Sequence, residues 1–532
     1  MVPTNEKKLI LVITLLAAML RLWGYSAVSI EHFDEGVYAS NIWFDQDEGY
    51  RYPDRHLYAP PLVPTLIEWG HVILGPTSLA TILPGLLAGI ATIPLLWWFG
   101  RQIAGPFAGL CAASLLATNE AHILYSRTAL TEPLLCFWML LSVYLAHQAL
   151  THLLQGEKSD LKTGWLAGFA GLTAGLAWLS KYNGWLALAV IVSASLAWGL
   201  FSKFTVKKWS KLAAGSALIV LVAFLVWLPY LSALQKFGGY AAVAGNHQQY
   251  FVGLAGWQES LFAQLSKQFQ LLGITSACGF GIVGVLVWKR SMWITPQKTP
   301  HSFSLAQISL GSWMTASWLI GLSVAIPLYY PYPRLCAPWM IAFCLATGLI
   351  VSKLCQGGNV NRTQEQNPSK KHELQTLLSV ILLAGVSLIG PLRLAPAWEP
   401  RNEYRRIATK CVMDAGEIAK QQGHAAEEVV FYVYGEPAMF YHLSAADRLT
   451  GPIGHLDFAK PGASRVPFPT FLVVGPHALR SDLFHEQWKE LGDHFQLIAE
   501  YQYHPSLLVQ LNKKDGDQEK ETSLPVKLYQ LK

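Results

Sequence analysis

Long apolar stretches separated by short polar connections dominate the first 400 positions of the chain. Runs at about 9–29, 79–100, 105–120, 130–150, 164–181, 183–201, 212–231, 270–288, 312–330, 335–353 and 374–393 approach the roughly 20 apolar residues that a spanning helix requires. The pattern predicts about eleven spans. The segment "PPLVPTLIEWGHVILGP" (60–76) is shorter and opens on a proline pair, which predicts an interfacial or re-entrant helix rather than a span. After residue 400 the pattern changes. "NEYRRIATKCVMDAGEIAKQQG" and "HEQWKELGDHF" have helical spacing with a polar face, "EVVFYVYG" and "TFLVVGP" read as short buried strands, and "FQLIAEYQYHPSLLVQLNK" reads as a strand pair. The expected organisation is a transmembrane part over 1–400, a small α/β domain over 401–512 and a polar tail over 513–532. No internal repeat is visible, which counts against transporter folds built from duplicated halves.

Composition sharpens this picture. Of 532 residues, 52% are hydrophobic and only 14% charged, well short of the quarter usual in soluble proteins. The chain is therefore expected to be a polytopic α-helical membrane protein with a soluble α/β domain at its C-terminal end. Its partners include membrane lipids. The net charge of +6 does not imply nucleic acid, because Lys and Arg are dispersed between the apolar runs. The first run lacks a small-residue cleavage site and reads as a retained helix. The seven cysteines are scattered, with neither a CxxC pair nor zinc spacing, and imply no metal site or disulfide framework.

Basic residues have a pattern of their own. Lys7 and Lys8, Arg101, Lys158 and Lys162, "SKFTVKKWSK" (202–211), "WKRSMWITPQK" (288–298) and "RTQEQNPSKK" (362–371) all fall on one side of the membrane if the spans alternate. The positive-inside rule makes that side cytoplasmic. The opposite side receives the loop at 30–78, the connection near Arg127, "SKYNG", the long 232–268 loop, "YYPYPRL" and the C-terminal domain. The chemically suggestive stretches thus collect on one face, as an outward-facing active site would require.

The foremost stretch is "EHFDEGVYAS" (31–40), which sets Asp34 and Glu35 just after the first span. Carboxylates beside a membrane span need a partner or a task, although a solvated loop pair reads the same way. The following "DQDEGYRYPDRHLYAPPL", with His56 and Tyr58, mixes aromatic faces, acceptors and cations. That mix suits a sugar or phosphate pocket and equally a polar loop. Arg127 and Glu132 lie at the outer end of a span, either as an ion pair orienting the helix end or with Glu132 facing the same cavity as Asp34. Lys181 is either a snorkelling lysine or a donor to phosphate. Arg334, among Tyr329, Tyr330 and Tyr332, is either an aromatic-belt anchor or a bidentate phosphate fork. His122, His147 and His152 have no ligand-like spacing and read as structural. The glycines of "LAGFAGLTAGLAW" (166–178) read as close helix packing.

Taken in order, the Asp-Glu pair after the first run, the "PPL" opening an amphipathic helix, "SRTALTEPLLCFW", "GLTAGLAWLSKYNG" and "YPRLCAPW" form a series. Over residues 5–355 this series resembles the GT-C glycosyltransferases related to protein O-mannosyltransferases and lipid A aminoarabinose transferases. The resemblance implies a sugar donor carried on polyisoprenyl phosphate and a lipid, glycan or protein acceptor at the outer face, in a bacterial inner (plasma) membrane. Asp34 matches the family's catalytic acid in the first external loop. Glu132 stands where the second acid is usually Asp, and Arg334 matches the Arg of the late motif. Relatives carry Lys before the proline pair where this chain has Ala59, so the phosphate contact passes to His56, Lys181 or Arg334. No cofactor is implied, and a divalent metal requirement stays open. The mechanism expected is a single, inverting displacement at the sugar C1. Asp34, with a pKa raised beside Glu35, takes the acceptor's proton, and Arg334 and Lys181 stabilise the departing phosphate. Glu35, Arg127, His56, Tyr58 and Tyr329 complete the expected substrate-binding set, and the 232–268 loop is the expected lid. A lipid-linked glycan polymerase or ligase and a multi-span transporter are the alternatives.

Overall fold

The computed structural model describes residues 4–40, 54–155, 161–266, 305, 308–356, 398–446, 448–460, 462–463, 466–512 and 523–532. Two compact units emerge. One gathers described residues of Met1–Trp23, Gly85–Ser126 and Thr131–Ala397, and the other those of Gly24–Pro84, Arg127–Leu130 and Trp398–Lys532.

Among the described residues, seven helices are long and apolar enough to cross a membrane: Asn5–Ala27, Ser78–Ala104, Glu132–Leu154, Tyr182–Phe201, Val206–Phe237, Leu310–Leu328 and Pro333–Lys353. A helix pair, Pro106–Ala117 and Glu120–Ser126, bent by 63°, makes an eighth if it is one span. The expected spans at 270–288 and 374–393 lie outside the described residues, as do the basic loops at 288–298 and 362–371. The expected span at 164–181 is a helix, Leu161–Ser180, but Gly164, Gly168, Gly171 and Gly175 dilute its hydropathy, and it is not among the seven. Two of those glycines, Gly171 and Gly175, have a packing role, whereas Gly164 and Gly168 face open space. A Cβ on Gly171 would lie 2.6 Å from the Ile219 carbonyl oxygen, so only glycine lets this helix meet Val206–Leu234 so closely. Apolar side chains such as Leu221, Leu225 and Leu200 stay exposed where acyl chains would cover them. The chain is an integral membrane protein.

The break in the bent pair has an identifiable cause. Arg21, fully buried, donates to the carbonyls of Ala117 (3.1 Å) and Leu116 (3.4 Å), and its guanidinium lies 2.7 Å from His122 Nδ1. A cation thereby caps the carbonyl end of the Pro106–Ala117 helix, where the helix dipole favours positive charge.

In the second unit, five strands form a mixed sheet. They are β1 (Val430–Tyr434), β2 (Leu449–Ile453), β3 (Thr470–Val474), β4 (Phe495–Tyr503) and β5 (Leu524–Leu531), in the order β2-β1-β3-β5-β4. The β1 strand pairs in parallel with β2 and β3, and β5 pairs antiparallel with β3 and β4. Helices Glu403–Gln421 and Asp482–Leu491 form as their spacing predicts. Three expectations need correction. The polar tail from 513 ends in β5, where buried Leu524, Val526 and Leu528 alternate with Pro525, Lys527 and Tyr529 and fill the gap between β3 and β4. The strand pair read in "FQLIAEYQYHPSLLVQLNK" is one strand followed by a short helix, Leu507–Leu511, because Pro505 and Ser506 interrupt the alternation. The domain boundary also moves, because the described part of 24–84 packs with the sheet domain in one unit. There, Leu62–Leu74 is a helix too short to span, with Val63 and Ile67 buried and Trp69, Val72 and Ile73 exposed, as an interfacial helix requires.

Candidate functional site

Within the helical unit, three elements bring Glu132, Lys181 and Arg334 together. Glu132 is the first residue of the Glu132–Leu154 helix, whose start is set by Pro133 in the first turn. Its carboxylate is 1% exposed. Lys181 follows the end of Leu161–Ser180 in an extended conformation and enters the tight turn Tyr182–Trp185. That turn folds back so closely that a Cβ on Gly184 would sit 2.0 Å from the Ala177 carbonyl oxygen. Lys181 Nζ lies 2.5 Å from Glu132 Oε1. Arg334 sits in the turn Pro333–Cys336 ahead of the Ala337–Gln356 helix, with Nε 4.0 Å from the same oxygen and its guanidinium 5.5 Å from the Tyr332 ring centre. Lys181 and Arg334 are 19% and 18% exposed. Two partly accessible cations thus approach one buried carboxylate oxygen. Lys181 is paired rather than snorkelling.

Tyr329 and Tyr330 are strapped in place by part of the 232–268 loop. Val252 N donates to Leu328 O (2.9 Å), Tyr330 N to Tyr250 O (2.8 Å) and Ser260 Oγ to Tyr329 O (2.6 Å). The Tyr329 side chain remains 37% exposed. The loop read as a lid is therefore largely helical, with Gly239–Gln248 as one of its helices, and hydrogen-bonded to the Tyr-rich segment.

Within the second unit, Asp34 and Glu35 occupy the first turn of a seven-residue helix, Phe33–Ala39. His32 caps it: Asp34 N donates to His32 Nδ1 (3.1 Å), and His32 N donates to Glu35 Oε2 (3.1 Å), a reciprocal capping box. Asp34 is half-buried. Glu35 is fully buried, and its oxygens also accept from the backbone N–H of Glu31 (3.2 Å) and Ala129 (3.0 Å). The counter-charge is Arg401, whose guanidinium lies 3.4 Å from both oxygens and also donates to the Arg127 carbonyl. Arg127 itself is buried in that short segment. Nothing in the sequence marks Arg401, which stands 366 positions from Glu35.

Further contacts tie the first loop to the sheet domain. His442 Nε2 lies 2.8 Å from the Ile30 carbonyl and 2.9 Å from Ser29 Oγ. Burial lowers this imidazole to about 4. Ser506 N donates to Glu31 Oε1 (3.1 Å), and burial pushes the Glu31 carboxyl up. A Cβ on Gly36 would lie 2.4 Å from the Pro437 and Ala438 backbone, so the Asp34 helix sits directly on the helix Pro437–Ala445. His56 lies in the turn Arg55–Leu57, and Tyr58 follows it, 5.7 Å from Phe33 between ring centres.

Comparison with known proteins places this architecture. The family described as dolichyl-phosphate-mannose-protein mannosyltransferase matches residues 76–238. No curated protein matches the sequence. The solved structure of ArnT from Cupriavidus metallidurans bound to undecaprenyl phosphate superposes with a TM-score of 0.58 at 14% identity, covering 99% of this chain and 98% of that one. The archaeal oligosaccharyltransferase AglB from Archaeoglobus fulgidus, in complex with an inhibitory peptide and a dolichol-phosphate, superposes with a TM-score of 0.54 at 13% identity, covering 94% of this chain and 73% of that one. At 13–14% identity the likeness is one of fold: the chain shares the architecture of these two proteins along nearly its whole length.

Proposed function

We propose that this protein transfers a sugar from a polyisoprenyl-phosphate donor to a hydroxyl-bearing lipid, glycan or protein acceptor, with inversion at the sugar C1. The observation that carries the reading is the Glu132–Lys181–Arg334 cluster. Two partly exposed cations meet at the ends of membrane helices, and a phosphate is an anion that a lysine ammonium and an arginine fork set side by side can grip together. Arg334 stands just ahead of a helix N-terminus, where the dipole disfavours a cation and favours an anion.

In the reaction, the bond between C1 and the donor phosphate oxygen breaks as a bond from C1 to the acceptor oxygen forms. Asp34 takes the acceptor's proton. The phosphate leaves with its electron pair and its growing charge is met by Lys181 and Arg334, so no separate acid is needed. Glu35 supports Asp34 through the shared capping box and its ion pair with Arg401. His56 and Tyr58 serve the substrate side of the first loop, Tyr329 the donor side, and Arg127 acts through the carbonyl that holds Arg401. Fold likeness to proteins solved with undecaprenyl phosphate and dolichol-phosphate supports the donor class. We place the reaction at the outer face of a bacterial inner membrane, on the Lys/Arg asymmetry of the loops.

The test is incubation of the purified full-length protein in nanodiscs with radiolabelled polyprenyl-phosphate sugars and native membrane extract as acceptor source. Transfer from at least one donor, lost in Lys181→Ala and Arg334→Ala, supports the reading. Transfer from none, or transfer unchanged in both variants, refutes it.

A further inference from the structure

The two cations of the site stand on separate turns, Lys181 at the head of Tyr182–Trp185 and Arg334 within Pro333–Cys336. One stretch of chain touches both. It starts with the helix Gly239–Gln248, bends at Gly253, whose φ of 66° suits glycine, and is helical again over 257–266.

Its first end sits on the Lys181 turn. The Tyr240 ring stands edge-on to the Tyr182 ring at 5.9 Å between centres, and the His247 ring meets the same tyrosine at 6.2 Å. Tyr182 is buried and directly follows Lys181. Gly184 N donates back to Lys181 O (2.8 Å), so the backbone of the lysine is tied to the turn on which the two rings rest. Edge-on aromatic pairs of this kind have a preferred geometry and resist sliding.

Its second end grips the Arg334 turn and the chain leading into it. Trp257 Nε1 donates to Val324 O (2.8 Å), Gly253 N to Leu328 O (3.2 Å) and Gln264 Nε2 to Ile326 O (3.3 Å). Gln264 Oε1 accepts from Cys336 Sγ (3.5 Å), and Cys336 closes the four-residue turn that carries Arg334. Gln264 is buried, so both halves of its amide serve this one segment away from water, where an unmade bond is costly.

A lysine presents a point charge and an arginine a planar fork, and a single phosphate meets both only at a fixed separation. We propose that the stretch 239–264 is a brace that sets the separation of Lys181 from Arg334, with Tyr240 and Gln264 as its positioning residues. This rests on the transferase reading above and deepens its donor side: the phosphate of a polyisoprenyl-phosphate sugar is held only while both ends of the brace are seated.

The test is steady-state transfer by the full-length protein in nanodiscs, with labelled polyprenyl-phosphate sugar and native membrane extract varied independently. Gln264→Ala and Tyr240→Ala should each raise the donor KM about 3- to 10-fold, while the apparent KM for the extract stays within about twofold. Tyr240→Phe keeps the ring contact and should keep the wild-type donor KM. Either loss unseats the same separation, so the double variant should lie within about twofold of the worse single one, where independent contacts would multiply. Tyr240 is half-exposed, so Tyr240→Ala and Tyr240→Phe decide the matter by themselves if Gln264→Ala does not fold. A donor KM unchanged in Tyr240→Ala, equal shifts in both KM values, a Tyr240→Phe as impaired as Tyr240→Ala, or a multiplicative double variant overturns the proposal. A wild-type protein that transfers from no donor overturns the transferase reading and this inference with it. Transfer lost in Arg334→Ala but with an unchanged donor KM in Tyr240→Ala overturns the inference alone.

Discussion

Replacing Arg401 with Gln should loosen the first loop more than any change at Asp34 itself. Glu35 is 0% exposed and Arg401 3%, so the pair is desolvated and its geometry is maintained on both carboxylate oxygens at 3.4 Å. Removing the cation strands a carboxylate in the interior, which typically costs about 3–5 kcal/mol. Three backbone N–H groups, of Glu31, His32 and Ala129, remain to solvate it, which argues for the lower end, about 3 kcal/mol. The assay is native-state hydrogen exchange of the full-length protein in nanodiscs, followed at the amides of residues 31, 32 and 129 and through the Phe33–Ala39 helix. Arg401→Gln should lower their opening free energy by about that amount and reduce transfer, because Asp34 shares the helix that Glu35 caps. In Glu35→Gln/Arg401→Met, where no charge is buried, more than half of the lost protection should return. Protection within about 0.5 kcal/mol of wild type in Arg401→Gln, or additivity of the two single changes within that margin, would refute the reasoning.

Four further outcomes are expected. Asp34→Asn keeps the shape and removes the base, so transfer should fall about 10²- to 10⁴-fold with the protein still folded in the membrane; near-full activity would move the base elsewhere. Arg334→Lys keeps the charge but loses the planar fork, and should still raise the donor KM; unchanged kinetics would remove the fork from the argument. His442, lowered to about 4 from its usual 6.5, is bound neutral. Its contribution to stability is present above pH 6.5 and is lost as pH falls through 4, where the unfolded chain takes a proton that the folded one refuses. The loss is about 3 kcal/mol, and wild type should lose stability over that window more steeply than His442→Gln; Glu31 acts in the opposite sense but is common to both proteins, so parallel curves would exclude the imidazole. In intact cells, an impermeant thiol reagent should label Lys420→Cys and spare Lys208→Cys, both at exposed positions, and the reverse would invert the proposed orientation.

Much of the fold was readable because its signals are local. A run of apolar residues of bilayer length has few alternatives to a spanning helix, and the shortness of Leu62–Leu74 set it apart from the spans. Of the glycines of 166–178, Gly171 and Gly175 serve the close packing that small residues at helical spacing suggest in membranes, and Gly168 does not. Where local signals were mixed the reading failed. In β5 the alternation is brief and preceded by the polar stretch from 513, so that its place between β3 and β4 was hidden behind a tail-like composition. The helix Leu507–Leu511 was mistaken for a strand because a short apolar run does not distinguish the two.

The residue types of the site were likewise visible in one dimension, but their charge environments were not. "DEG" at the start of a helix reads the same whether its carboxylates face water or the interior. Burial alone separates the half-exposed Asp34 from the wholly enclosed Glu35, and burial depends on Arg401, Ala129 and Pro437, which the chain delivers from afar. Glu132, Lys181 and Arg334 were each legible as a residue with two readings, and only the tertiary structure brings the three together around one carboxylate oxygen. Gln264 and Cys336, 72 positions apart, carried no signal of their pairing. Hydrophobic length and period are properties of neighbours along the chain and survive in the sequence. Ion pairing and desolvation are properties of neighbours in space, separated here by up to 475 positions, and they exist only once the strands and helices have packed.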